Sequence, residues 1–190
     1  MSKYFLHFIL CAVILYAGCR SSSPTFHIRE DIDYSFIKKV AVLPLDNLSD
    51  NRSAGEIVRQ VVMSELLASG FVDVAVPGEV ISALTALNIK SISSLNEEQI
   101  KAIGNALKVQ AVIMGAVEQY GESKYGNFSA PELTITLMMA DTTSGSIIWS
   151  ITKSGGGTSF MARHFGAQSK TMSETVILVV REAIKTFTGN

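Results

Sequence analysis

Apolar positions between residues 39 and 187 recur in two rhythms, which predict alternating strands and helices. The runs at residues 39–45 and 109–117 carry apolar residues on both faces, which predicts interior strands. Residues 133–139 alternate large apolar residues with threonine, and residues 147–152 follow after a short turn, so together they predict a hairpin. A short alternating run at residues 72–76 predicts one more strand.

Helical spacing predicts four helices in the same region. Residues 54–69 carry an apolar stripe and stop before Gly70, a residue typical of helix C-termini. Pro77 favours the first turn of a second helix, and residues 94–97 have the spacing of a capping box that opens a third. Residues 171–187 form a final amphipathic pattern. The stripe expected for the first helix contains Ala54, Ile57, Val58, Val61, Val62 and Ala68.

The order β-α-β-α-α-β-β-β-α predicts an α/β (α+β) fold, with a mixed sheet of about five strands and helices packed on its faces. The early crossovers imply parallel pairing, and the late hairpin is antiparallel. Two polar stretches that contain glycine, at residues 120–131 and 155–168, are expected to be loops.

Composition narrows the class of protein. The chain has 190 residues, of which 47% are hydrophobic, and its mean hydropathy is +0.30. Its one long apolar stretch, residues 4–16, is uncharged and has 13 residues, whereas a membrane-spanning helix needs about 20. This excludes a polytopic membrane protein. The 16 basic and 17 acidic residues give no electrostatic basis for nucleic-acid binding, and two cysteines exclude a disulfide-rich scaffold.

The N-terminus has the pattern of an export signal. Lys3 precedes the apolar run, and Ala17-Gly18-Cys19 follows it. The segment 15–19 resembles a bacterial lipobox, which implies cleavage between Gly18 and Cys19 and lipidation of the Cys19 thiol. Tyr16 departs from the usual leucine. Arg20, where aspartate favours inner-membrane retention in such lipoproteins, implies delivery to the outer membrane. The alternatives are an ordinary signal peptide with an unmodified Cys19 and an uncleaved anchor.

Three segments follow from this pattern: a signal peptide at residues 1–18, a lipidated N-terminus and flexible tether at 19–36, and a periplasmic α/β domain at 37–190. The tether is rich in serine and contains Pro24, which is a linker composition. An alternative remains open, in which part of it packs on the domain through Phe26, Ile28 or Tyr34.

Candidate chemistry in the mature chain is sparse. His27 and His164 are its only histidines and lie far apart in the sequence, so no metal site is expected. Ser144 lies in a turn rather than in a Gly-x-Ser-x-Gly motif, and residues 155–157 lack the spacing of a phosphate loop. No catalytic residue and no cofactor are therefore predicted.

Two features of the domain leave a choice open. Asp46 and Asp50, with Asn47 and Asn51, follow a buried strand, so their loop could bind a ligand or a weak cation, but turn formation explains the same residues. Trp149 on the hairpin is either an interface anchor or, as the preferred interpretation, a core residue.

Three segments in order carry a family resemblance. Residues 40–47, 107–117 and 141–150 resemble the envelope lipoprotein superfamily that includes the curli-secretion component CsgG and the penicillin-binding-protein activator LpoB. This resemblance covers about residues 39–187 and implies a fold similar to the N-terminal domain of TolB. With 190 residues and no additional alternating amphipathic pair, the chain leaves little room for the membrane-spanning hairpins of the CsgG-type members, and its tether is short whereas activators often carry a long one.

The resemblance implies a non-enzymatic, outer-membrane-anchored lipoprotein that binds another envelope protein, with activation of a penicillin-binding protein as one such role. The alternative is a CsgG-like homo-oligomeric export component. An enzyme or small-ligand binder is a third, less favoured class. Partner contacts are expected in the loops 120–131 and 155–169 and at the hairpin edge, with candidate residues Tyr120, Tyr125, Phe128, Phe160 and Arg163.

Overall fold

A computed structural model of the chain describes residues 25–29, 32–125, 128–157 and 170–188. Cys19 and the predicted signal peptide, residues 1–18, lie outside this range, as do Phe160 and Arg163. The described elements, in chain order, are β1 (Thr25–Ile28), a 3-10 helix (Tyr34–Phe36), β2 (Lys39–Val42), β3 (Asp46–Asn47), α1 (Ala54–Ser69), β4 (Asp73–Val74), α2 (Pro77–Ala86), α3 (Glu97–Leu107), β5 (Ala111–Tyr125), β6 (Phe128–Asp141), β7 (Ile147–Gly156) and α4 (Met172–Thr188).

The predicted mixed sheet is confirmed. Its strands run in the order β1-β7-β6-β5-β2-β4, with β3 also paired to β5, so the described residues form a seven-stranded sheet. β2 pairs in parallel with β4 and β5, and β3 pairs in parallel with β5. Antiparallel ladders join β5 to β6, β6 to β7, and β7 to β1. The sequence pattern does not predict two of the strands, β1 and β3.

Helices cover both faces of this sheet. On one side, the α1/α4 face, Val58 and Val180 pack against inward residues such as Ile113 and Leu137. On the other side, the α2/α3 face, Val80 and Ile103 pack against alternate residues of the same strands. The two cores exist because successive strand residues point to opposite faces.

The interruption between β2 and β3 has a simple cause. Both strands pair with β5, first at residues 111–113 and then at 116–117, so they follow one line along it. Pro44 lies between them and has no N–H to donate, which breaks the ladder. Leu43 N and Leu48 N still donate to the carbonyls of Ile113 and Val117, each at 2.8 Å.

The loop predicted at residues 120–131 is wrong. Antiparallel pairing of β5 and β6 continues through this region from Tyr120↔Leu133 to Tyr125↔Phe128, so these residues form the outer part of a long hairpin. The loop predicted from residue 155 also begins too early, because β7 extends to Gly156. The strands are partly open to solvent here, so polar side chains are as compatible with a strand as with a loop.

Part of the segment 19–36 packs on the domain. Residues 25–28 pair with β7, from Thr25↔Thr152 to Ile28↔Trp149. Ile28 and Tyr34 contact the core on the α1/α4 face, and the Tyr34 hydroxyl donates to the Ile148 carbonyl at 2.6 Å. Phe26 remains 49% exposed. Of the two arrangements left open by the sequence, the described residues show packing.

Helix α1 has the predicted bounds and ends at Gly70 in a left-handed conformation, but its buried stripe differs from the prediction. Ile57 is exposed, whereas Leu66 and Arg59 are buried. The Arg59 Nε donates to the Val42 carbonyl at 3.1 Å, which satisfies a strand group beyond the end of β4. Glu65 also lies within the apolar stripe, where Arg181 of α4 donates two hydrogen bonds of 2.9 Å to its carboxylate.

The capping box of α3 is shifted by two residues from its predicted position. Asn96, not Ser94, caps the helix: its Oδ1 accepts from Gln99 N at 2.9 Å, and Gln99 Oε1 accepts from Asn96 N at 3.1 Å. Among the described residues, no helix combines the length and the apolar character needed to cross a membrane.

The close approach of β5 and β6 provides a test of this architecture. A Cβ at Gly115 would lie 2.0 Å from the Thr136 carbonyl oxygen, whereas nothing lies within 4 Å of a Cβ at Gly78. We therefore expect Gly115→Ala to lower the free energy of unfolding by about 2 kcal/mol or more, measured by urea denaturation. Gly78→Ala, in the first turn of α2, is the matched control and should leave stability unchanged or slightly higher. Equal stability of the two variants would contradict the pairing.

Candidate interaction surface

Two adjoining depressions lie where β2 and β3 end and the β5–β6 hairpin begins. The turn that follows β3 is shaped by its own side chains: Asn47 Oδ1 accepts from Ser49 Oγ at 2.7 Å, and Asn47 Nδ2 donates to the Asn51 carbonyl at 2.7 Å. Asn51 Oδ1 accepts from Ser53 N at 3.0 Å, just before α1 begins. Turn formation therefore accounts for both asparagines singled out in the sequence.

The first depression has a volume of about 620 Å³ and is open to solvent. Residues 48–51 form one wall, and residues 118–122 of β5 form the other. Leu48 is 69% exposed at its rim, the largest exposed fraction among the large hydrophobic residues described. Asp50, Glu118 and Glu122 contribute carboxylates to it. This depression is therefore acidic, with an apolar contact point at Leu48.

The second depression has a volume of about 370 Å³ and lies on the α2/α3 face. The connection between α2 and α3 and the adjacent strands supply its apolar walls, and Asp46 and Glu118 supply carboxylates. Glu118 Oε1 accepts from Thr136 Oγ1 at 2.6 Å, which helps to hold that side chain at the boundary between the two depressions. The apolar lining residues are Ile92, Leu95, Met114, Met138 and Ile147, with Ala116 beside them.

We call the two depressions together the carboxylate surface, and it is defined by Asp46, Asp50, Glu118 and Glu122. No lysine or arginine is among the residues that line either depression. Within the described ranges, no three carboxylate, imidazole or thiol side chains are grouped in a way that could hold a metal ion. The described lining of the carboxylate surface therefore combines four carboxylates with no basic side chain.

Beside the carboxylate surface, the α2/α3 face carries a ladder of hydroxyl groups. Thr134 pairs with Ser154 at 2.9 Å, and Thr136 pairs with Thr152 at 2.8 Å, both across the β6–β7 ladder. These side chains are partly or fully exposed. Ala140 is buried in the core of this face, and Met138 and Ile147 pack against that core nearer the β6–β7 turn. Among the described residues, the second depression thus lies between the helix-covered part of this face and its exposed hydroxyl groups.

Of the five candidate contact residues, the structure places one at this surface. Tyr120 is half-buried, packs against the core of the α1/α4 face and lines the first depression. Tyr125 and Phe128 form the last described backbone pair of the hairpin. Phe160 and Arg163 lie outside the described residues, as do Gly18, Cys19 and His164. Sequence reasoning missed Glu118, whose only signal was a carboxylate directly after a buried strand.

The other candidate residues have structural roles. Trp149 is fully buried, its Nε1 donates to Thr186 Oγ1 at 2.9 Å, and its ring contacts Phe187 edge-on with centroids 5.0 Å apart. It is a core residue, as preferred from the sequence. Ser144 lies in the β6–β7 turn, where its N and Oγ donate to Asp141 Oδ2 at 2.8 and 2.7 Å.

Known proteins resemble this chain in fold rather than in sequence. No protein-family model matches the sequence, and no curated protein matches it. The PelC dodecamer from Paraburkholderia phytofirmans is similar in structure, with a TM-score of 0.56 and 18% identity over 86% of this chain and 96% of that chain. Lipoprotein GNA1162 from Neisseria meningitidis gives a TM-score of 0.57 and 15% identity over 80% and 99%.

The C-terminal domain of LpoB from Salmonella enterica matches with a TM-score of 0.47 and 15% identity over 64% of this chain and 83% of that chain, which is too low to support a parallel in function. At such identities, the similarity to PelC and GNA1162 shows that the proteins share a fold. The class defined here is therefore a mixed-sheet α/β domain with helices on both faces, as the sequence predicted.

The turn at Ser144 makes a pH-dependent prediction. Burial raises the pKa of Asp141, but hydrogen bonds from Ser144 and Thr143 outweigh it and hold that pKa below its ordinary value. A lowered folded-state pKa contributes stability above the unfolded-state pKa of about 3.9, and this contribution is lost as the pH falls through the folded-state value. We expect Asp141→Asn to lower the urea midpoint at neutral pH and the difference from wild type to shrink below about pH 4. A difference that stayed constant down to the acid limit of folding would contradict this.

Proposed function

We propose that the protein is an outer-membrane-anchored periplasmic lipoprotein whose α/β domain acts as a non-enzymatic module that binds another envelope protein. The observation that carries the proposal is the combination of an open contact surface on the folded domain with a lipobox-like cysteine at residue 19. Activation of a penicillin-binding protein is one role within this class, and it rests on the sequence resemblance.

The chemistry of the surface supports binding rather than catalysis. Asp50, Glu118 and Glu122 are exposed on an open depression instead of converging in an enclosed site. The two buried polar side chains of the described residues bind the backbone: Arg59 Nε donates to the Val42 carbonyl, and Thr175 Oγ1 donates to the Thr171 carbonyl. An enzyme site is expected to bring perturbed titratable groups together in a cleft.

The shared fold with GNA1162, which is itself described as a lipoprotein, supports the anchoring part of the proposal. A second candidate function is a homo-oligomeric component of an export complex, of the kind that CsgG represents. One observation favours it: PelC, which has the same fold, is a dodecamer in its structure. The two functions differ in whether the domain's main contact is another protein or another copy of itself.

Lipidation makes the first prediction about function. Replacing Cys19 by serine removes the thiol that accepts the lipid, so we expect loss of labelling by a radioactive palmitate precursor and loss of membrane fractionation. Cys11, the other cysteine, lies within the apolar run and provides a matched control. Cys11→Ser should be labelled like the wild type, and labelling that persisted in Cys19→Ser would refute the lipoprotein assignment.

The binding role is tested in the native envelope. A photo-crosslinking amino acid is placed at Leu48, which is exposed at the first depression, and in parallel at Ile81, which is 47% exposed on α2. We expect a defined heterologous product, with mass photometry of the detergent-extracted protein showing no large self-assembly. Products that contain this chain alone, together with a discrete ring-sized species, would instead establish the oligomeric alternative.

A further inference from the structure

We propose that the carboxylate surface docks a cationic amphipathic segment of the partner protein, in which lysine or arginine residues are flanked by apolar ones. The proposal rests on the protein-binding function above and names the chemistry of the partner. Three features carry it: the apolar lining of the second depression, the carboxylates at its rim, and the continuity of this rim with the acidic first depression.

The apolar lining accommodates a side chain rather than a flat contact. Ile92 and Leu95 face Met114, Met138 and Ile147 across a depression whose volume, about 370 Å³, is that of a small-ligand site. Two of these walls are methionines, whose unbranched and polarisable side chains adapt to ligands of different shape. Apolar side chains, or the methylene stem of a lysine, fit this environment.

The rim of the depression selects a cation. Asp46 pairs in register with Ala116 of β5 and therefore points to the same face, where both residues line the second depression with Glu118. A long basic side chain can lay its methylenes along the apolar walls and place its charge at these carboxylates. An acidic side chain in the same position would bring like charges together, and a neutral polar one would leave the negative charge of the carboxylates unbalanced.

The first depression extends the acidic surface, so that it can contact more than one residue of the bound segment. It shares Glu118 with the second depression and adds Asp50 and Glu122, with Leu48 exposed at its rim. A segment that follows both depressions therefore meets an apolar wall, carboxylates, and an apolar contact point in turn. This order matches a chain in which basic and apolar residues alternate or are separated by a few positions.

The opposite end of the parallel strands provides an internal comparison. The depression there, lined by Gly78, Glu79 and Ser82 of α2, also includes Lys39 and Lys108, so its charges are mixed. Signal removal takes away Lys3 and leaves 15 basic and 17 acidic residues, so the mature chain is only slightly acidic. The concentration of carboxylates at the carboxylate surface is thus a local feature, and it complements a basic partner.

Peptide binding to the full-length lipidated protein in non-ionic detergent tests the proposal. Three fluorescein-labelled peptides of equal length are compared by fluorescence anisotropy: one of lysine and leucine, one with glutamate in place of lysine, and one with glycine in place of leucine. We expect the lysine–leucine peptide to bind about tenfold or more tightly than either of the others, and more weakly as salt is raised.

Charge reversal locates the site. The variant Asp50→Lys/Glu118→Lys changes two carboxylates of the surface, and Asp73→Lys/Glu79→Lys makes the same change in net charge at two exposed acidic residues near the opposite end. We expect the first variant to lose binding of the lysine–leucine peptide by about tenfold or more and the second to bind like the wild type. Circular dichroism checks that both variants remain folded. Because both variants are measured in the same detergent, binding of the peptide to micelles contributes equally to both measurements.

Three results would overturn the inference: equal loss in both variants, equal binding of the glutamate peptide, or no binding of the lysine–leucine peptide to the wild type. These outcomes are distinct from failure of the proposed function. Suppose crosslinking finds a heterologous partner that the Asp50→Lys/Glu118→Lys variant still binds. In that case the binding function stands, and the assignment of the carboxylate surface as the docking site for a cationic segment is wrong. If no heterologous product forms at any position, the binding function itself fails.

Discussion

The antiparallel ladder between β5 and β6 is the constraint on which the rest of the structure depends. It pairs residues from Ala111↔Asp141 to Tyr125↔Phe128 and leaves β2 and β3 to pair on one side and β7 and then β1 on the other. At Gly115 the two strands approach so closely that a Cβ would lie 2.0 Å from the Thr136 carbonyl oxygen. Because strand side chains alternate between faces, a slip of one residue would turn every side chain of the slipped strand to the opposite face and break the match with both cores.

The position of the candidate surface follows from unequal cover on the two faces of this sheet. On the α1/α4 face, buried residues extend outward along the hairpin to Leu133, with Tyr120 packed beside them. On the α2/α3 face the buried residues include Ala140 and Met114, and farther out the sheet presents Thr136, Thr152 and Ser154 instead. A depression forms at this boundary, since apolar walls on one side meet hydroxyl and carboxyl groups on the other.

Most elements could be predicted because their periodicity is local, whereas the errors involve long-range pairing. The sequence predicts a loop at residues 120–131 because they are polar and contain two glycines. The same composition also occurs in a hairpin whose strands face solvent. β1 depends on pairing with β7, more than a hundred residues away, and Arg59 is buried because the short β4 leaves the Val42 carbonyl to be satisfied. The sequence alone could single out Asp46 as a candidate, but it could not place Asp46 in one depression with Glu118. That placement depends on the parallel register of β3 with β5.

The sheet also limits where a lipid-anchored domain could meet a partner. Six residues lead from Cys19 to Thr25, and a chain of that length extends at most about 20 Å. β1 is separated from β5 by β7 and β6, which places β5 about 15 Å across the sheet from β1. If Cys19 carries the lipid, the carboxylate surface therefore lies on the order of 40 Å from the membrane or nearer. A partner that is itself confined near the membrane satisfies this limit, whereas one on the far side of the periplasm would have to extend a segment to meet it.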